Sequence, residues 1–229
     1  MTHIAPQTLT AELDAKGWSR IPAFLSGDAC RDLAGLYSAN PRFRSRVIMA
    51  RHGFGSGEYK YFAYPLPVQV QTLRETLYPS LAPIANAWHE RLGIARRFPA
   101  SHKAFLAECA TAGQSRPTPL LLRYGPGDYN CLHQDLYGEQ VFPLQAAILL
   151  SRPGGDFEGG EFVLTEQRPR RQSRAHVVPL ERGDAVIFAV NTRPVDGARG
   201  SYRVTMRHGV SEVRRGERLT LGVIFHDAL

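Results

Sequence analysis

A chain of 229 residues that is 43% hydrophobic can bury one core, and its three cysteines, Cys30, Cys109 and Cys131, are odd in number, widely spaced and without a Cys-x-x-Cys. That pattern excludes a disulfide framework and points to a reducing cytoplasm. No basic start leads into a hydrophobic run, and no stretch approaches the ~18 apolar residues of a membrane span, so a soluble, unexported protein is expected. The formal charge is +7, and among the basic residues only Lys16, Lys60 and Lys103 are lysines. The arginine fork suits phosphates and carboxylates, which favours an anionic partner, a nucleic acid among the choices; biased genomic composition explains the excess equally well.

In chain order, residues 8–17 have weak helical character ended by Gly17, Trp18 to Leu25 reads as strand and turn, and Ser26 is the N-cap of a helix over about 27–39 that Asn40-Pro41 stops. Residues 42–67 bring arginines and His52, then Gly53, Gly55 and Gly57, then tyrosines and Phe62. Basic residues beside aromatics suit a phosphate backbone and its bases, so this stretch is read as a substrate lid with Arg46, Arg51, Tyr59 and Tyr129 as substrate contacts; an ordinary hairpin packed on a sheet is the other reading. Residues 68–92 show helical spacing with a break or kink near Pro79 and Pro83, and 101–112 a further helix. His89 and His102 are expected at the surface, and residues 1–118 as a helical buttress.

From 119 the pattern turns to strands. Gln145 to Leu150 suits a strand buried on both faces, 152–160 is a turn-rich link, and 166–179 is a basic hairpin tip with Arg168, Arg170, Arg171 and Arg174. Ala185 to Val190 is a strand, 191–200 a polar loop, and Arg214 to Glu217 a turn before the last strand. Short strands with glycine and proline turns indicate a jelly roll or sandwich, mainly β with flanking helices, over a single domain.

His133 and Asp135 stand two apart on extended backbone, so their side chains share a side and can close on one ion. In Ser201 to Val210 the alternation puts Val204, Met206 and His208 on one face, which makes His208 the candidate second imidazole. Two histidines and one carboxylate match the facial set of non-haem Fe(II) oxygenases; hydrogen-bonded core histidines are the alternative. Arg218 sits in an aliphatic strand with no acid on its face, a costly placement that a bound dicarboxylate would relieve. Cys131, beside these residues, reads as a small buried hydrophobe.

Together Arg123-Tyr-Gly-Pro-Gly-Asp-Tyr129 before His133-Gln-Asp135, Gly159-Gly-Glu-Phe162, Gly183-Asp-Ala-Val-Ile-Phe188, and His208 followed by Arg218 resemble the Fe(II)- and 2-oxoglutarate-dependent dioxygenases. The stretch Met49 to Phe62 looks like a bacterial branch suspected of modifying nucleic acids. The resemblance implies a double-stranded β-helix with His133, Asp135 and His208 on iron, and Arg218 on the far carboxylate of 2-oxoglutarate with Thr220 and Tyr124 as hydroxyl partners. It also implies dioxygen as co-substrate, compatibility with ascorbate, and hydroxylation or demethylation of a C–H bond with release of succinate and carbon dioxide. Prolyl hydroxylases share the Arg-Tyr-Gly-Pro-Gly and Gly-Gly-Glu features but usually meet that carboxylate with lysine, whereas alkylation-repair demethylases use arginine. A protein hydroxylase and a non-enzymatic jelly-roll binding module are the rivals.

Overall fold

The computed structural model describes residues 5–198 and 200–229. Helix α1 (Pro6–Lys16), strand β1 (Trp18–Ile21) and helix α2 (Gly27–Gly35) open the chain, followed by β2 (Phe43–Ile48), β3 (Gly55–Ser56), β4 (Glu58–Phe62), α3 (Val68–Arg91) and α4 (His102–Thr111). Strands then follow one another: β5 (Leu120–Tyr124), β6 (Tyr129–His133), β7 (Leu144–Leu149), β8 (Phe157–Gly159), β9 (Phe162–Gln167), β10 (Arg174–Val178), β11 (Ala185–Ala189), β12 (Thr192–Gly197), β13 (Gly200–Val210), β14 (Val213–Gly216) and β15 (Arg218–Val223). The major sheet runs β1-β11-β7-β15-β5-β4-β2 and the minor one β10-β9-β13-β6-β3, with β12 paired to β13 and a β14-β8 ribbon beside them. The result is a jelly roll carrying its helices on one side.

Alternation along the central strands explains the layers. On β7, Ala146 and Ile148 join the core that takes in the helices, while Ala147 and Leu149 belong to the core between the sheets; on β11, Ala185, Ile187 and Ala189 divide from Val186 and Phe188 in the same way. A strand covered on both faces has no polar side to show, hence the unbroken apolar runs.

Local chemistry sets the ends of the early helices. Gly17, at φ 79°, closes α1 by donating its N–H to Leu13 O at 2.8 Å, and Ser26 caps α2 by accepting from the Ala29 N–H at 3.2 Å. Helix α2 stops at Gly35, shorter than expected, and tightens into a 3-10 turn over Leu36–Ser38.

Several expectations are corrected. Helix α3 runs unbroken through Pro79 and Pro83, because both prolines are exposed and four residues apart, on the solvent side, while Leu73, Tyr78, Leu81 and Trp88 bury the other face. Burial along that face outweighs the lost hydrogen bonds, and water can satisfy the freed carbonyls. His102 is buried at the start of α4, its ring nitrogen 2.8 Å from Phe225 O and its ring among Tyr78 and Phe225. His89 is half-buried and paired with Arg96 O. The expected loop at 191–200 contains β12, and the expected turn at 214–217 lies largely in β14. In the stretch read as a lid, β2 and β4 extend the major sheet and β3 joins the minor one, so it ties the sheets together. Cys131 is exposed, because β6 has only the two-residue β3 on its outer side. No helix among the described residues is long and apolar enough to cross a membrane.

Candidate metal centre

Register builds the centre. Strand β13 pairs with β6 so that His208 stands opposite His133, and a register shift follows at once between His208 and Val210. Gly209 sits in that shift, where a Cβ would fall 2.6 Å from Asn130 O, so the crossing needs glycine. Asp135 lies just past the end of β6. His133 Nε2 is 3.4 Å from Asp135 Oδ1 and His208 Nε2 is 3.3 Å from Asp135 Oδ2; the three donor atoms all lie within 4.8 Å of one another. Cis donors on an octahedral ion with bonds near 2.1 Å stand about 3 Å apart, so the set has the right dimensions.

Hydrogen bonds around the triad fit an ion as well. His133 Nδ1 is 2.8 Å from Cys131 O, a contact that orients the ring with Nε2 toward Asp135. His208 Nδ1 is buried without a partner among the described residues. Burial works to raise the Asp135 pKa, but hydrogen bonds from His133 and His208 and their charge hold it well below the ordinary carboxylate range. Burial and the neighbouring His133 charge push the His208 pKa down against the raising pull of Asp135, the direction that favours a ligating imidazole.

Each Asp135 oxygen also meets a neutral donor: Tyr137 OH at 2.7 Å from Oδ1 and Gln145 Nε2 at 2.8 Å from Oδ2. Neither residue figured among the sequence candidates. Gln145 carried a signal, since it is the polar residue opening the apolar run of β7 and shares the parity of Ala147 and Leu149, the face toward the cavity. Tyr137 carried none.

The same cavity, about 200 Å³, holds His133, Asp135, His208, Arg218, Thr220 and Tyr124. Arg218 is 1% exposed and has no ion pair among the described residues; Nη1 donates to Thr220 Oγ1 at 2.6 Å and Nε has no partner. Burial lowers its pKa to about 10. The Tyr124 hydroxyl accepts from Asn130 Nδ2 at 3.3 Å, and the Tyr124 ring lies 5.6 Å from the guanidinium. A buried cation with no direct ion pair among the described residues, Glu161 acting on it only from a distance, in the cavity of a metal-compatible triad, fits a chelating acid with a second carboxylate.

Of the residues singled out for substrate, Tyr59 lines the cavity, whereas Arg46, Arg51 and Tyr129 lie outside its lining. Arg46 Nε donates to Glu58 at 2.8 Å; Arg51 and Tyr129 are exposed. In the β9–β10 hairpin Arg168 pairs with Glu166, while Arg170, Arg171 and Arg174 are exposed.

A family model named Oxygenase-NA, described as an oxygenase catalysing oxidative methylation of damaged DNA, matches residues 57–228. The chain belongs to this oxygenase family. An uncharacterized protein of Mycobacterium tuberculosis is 50% identical over 167 residues, 73% of this chain and 72% of that one. Among solved structures, a Pseudomonas putida prolyl-4-hydroxylase aligns with TM-score 0.55 and 17% identity over 95% of this chain and 96% of the other. An oxidoreductase of the 2OG-Fe(II) oxygenase family from Burkholderia pseudomallei aligns with TM-score 0.53 and 18% identity over 99% and 94%. A Trichoplax adhaerens prolyl hydroxylase, in complex with a hypoxia inducible factor peptide, gives 0.59 and 14% over 97% and 89%. At these identities the likeness is one of fold, the double-stranded β-helix. Family and donor set together make this member of Oxygenase-NA an oxidoreductase with a triad that could hold a metal ion.

Proposed function

We propose that this oxygenase oxidises a C–H bond on a nucleic-acid base or its methyl substituent, with His133, Asp135 and His208 ligating Fe(II) and Arg218 anchoring 2-oxoglutarate. One observation carries the reading: a single cavity holds both the triad and a buried guanidinium with no direct ion pair among the described residues. Held by these residues, Fe(II) with 2-oxoglutarate and dioxygen as co-substrates would supply oxidising chemistry that yields succinate, carbon dioxide and a hydroxylated carbon, which on nitrogen amounts to demethylation.

The chain's own residues do the rest. His133, Asp135 and His208 would hold the ion at the wall of the cavity that also holds Arg218. Arg218, with Thr220 and Tyr124, fixes the far carboxylate and so the orientation of the co-substrate. Leu120, Leu122, Val210 and Ile224 in the lining exclude water, which strengthens that ion pair. Membership of β1, β2 and β4 in the major sheet supports reading the chain as a single catalytic domain.

Support for a nucleic-acid substrate comes from the family's description, the +7 charge and exposed arginines such as Arg51, Arg170 and Arg171. The fold shared with prolyl hydroxylases favours a second reading, hydroxylation of a protein side chain. The test is succinate release by iron-loaded protein offered methylated oligonucleotides or proline-containing peptides. Stimulation by the oligonucleotides, abolished in His133→Ala and Arg218→Ala, is expected; turnover indifferent to both changes refutes the assignment.

A further inference from the structure

We propose that Phe54, backed by His52, is a stacking platform that holds a base of a single-stranded polynucleotide at the mouth of the metal cavity; this rests on the nucleic-acid reading above.

Phe54 lines the cavity and is yet 47% exposed, an open aromatic ring in the wall of the site. An apolar ring left open at a site marks a contact for a ligand.

Phe54 is also held in place. Its N–H donates to Met49 O at 3.2 Å and its carbonyl accepts from Cys131 N at 2.9 Å, two residues before His133. Met49, fully buried, anchors the turn. The next residue, Gly55, has φ 126°, and a Cβ there would lie 2.4 Å from Tyr129 O, so this crossing onto β6 needs glycine. The His52 and Phe54 rings are stacked, centroids 5.3 Å apart and 24° between planes. A fixed ring already stacked on a neighbour and still half open offers its remaining surface to another flat group.

Charge selects the flat group. Arg51, in the same turn, is exposed and has no ion pair among the described residues, whereas Arg46 on the preceding strand is engaged by Glu58. An aromatic face beside a free cation suits a base and its phosphate, and stacking of this kind tolerates any base. A peptide would use the ring but leave the cation without a purpose.

The test is fluorescence anisotropy with a labelled single-stranded oligothymidine and the full chain loaded with Mn(II) and 2-oxoglutarate. Phe54→Ala is expected to weaken binding about tenfold or more while the slope of log Kd against log salt stays constant, and Phe54→Trp to restore it. Arg51→Ala is expected to lower that slope by about one. Val177→Ala, removing an exposed apolar group on β10, is the control and leaves Kd unchanged. Oligonucleotide bound and oxidised equally by Phe54→Ala and the parent overturns this inference alone, as does failure of tryptophan to rescue. If the parent protein binds no oligonucleotide but does bind a proline-rich peptide, the substrate reading and the platform fall together.

Discussion

Replacing Arg218 with methionine is expected to move stability and ligand affinity in opposite directions. The guanidinium is 1% exposed, and burial lowers its pKa from 12.5 to about 10. A depression of that size corresponds to about 3 kcal/mol spent on keeping the charge inside the ligand-free protein. Against this stand one hydrogen bond to Thr220 at 2.6 Å and ring contacts to Tyr124 and Phe157 at 5.6 and 5.9 Å, together about 1–2 kcal/mol. Methionine keeps an apolar stem in the strand and removes the charge, so the variant is expected to be as stable as the parent or about 1–2 kcal/mol more stable, a rise of roughly 2–6 °C in Tm. Loss of the buried counter-charge is expected to weaken 2-oxoglutarate binding by about a hundredfold or more. Calorimetric unfolding without ligand and titration of 2-oxoglutarate into Mn(II)-loaded protein read the two effects separately. A variant destabilised by more than about 2 kcal/mol would show that Arg218 is a structural cation, and unchanged 2-oxoglutarate affinity would remove it from the co-substrate site.

Tyr137→Phe and Gln145→Leu each strip one neutral donor from Asp135, and each is expected to reduce Co(II) affinity about 10- to 100-fold by absorbance titration; parent-like affinity would mean that the carboxylate needs no such support. His102 and His226 are pushed down to about 4, first by burial and then by the Arg74 charge. The unfolded chain, with histidines near 6.5, therefore takes up protons first: stability is full above about pH 6.5 and falls as pH drops toward 4, by up to about 3 kcal/mol per histidine. Urea melts between pH 7 and 5 check this, and a flat profile contradicts it. Cys131 is exposed while Cys30 and Cys109 are buried, with thiols whose pKa burial raises; one thiol is expected to react rapidly with a disulfide reagent in the folded protein and the other two only on unfolding.

Much of the site could be read in the chain because its signals are local. His133 and Asp135 declare a shared side through the two-residue period of extended backbone, and Arg218 is conspicuous as a charge in an aliphatic strand. The helix ends at Gly17 and Ser26 are likewise set by their own backbone and side-chain chemistry. What the sequence left open depends on partners far along the chain. Register between β13 and β6 places His208 against His133, and the fold sets Gln145 and Tyr137 on the two oxygens of Asp135. The continuity of α3 across its prolines follows from burial of the opposite face, and the place of residues 42–67 at the sheet edge follows from pairing with β5. Sequence alone thus determined which groups could carry the proposed chemistry, since residue type and short-range spacing fix chemical capacity. Tertiary structure decided which of them meet, which are dry and which face solvent, because desolvation and distance are properties of the packed chain.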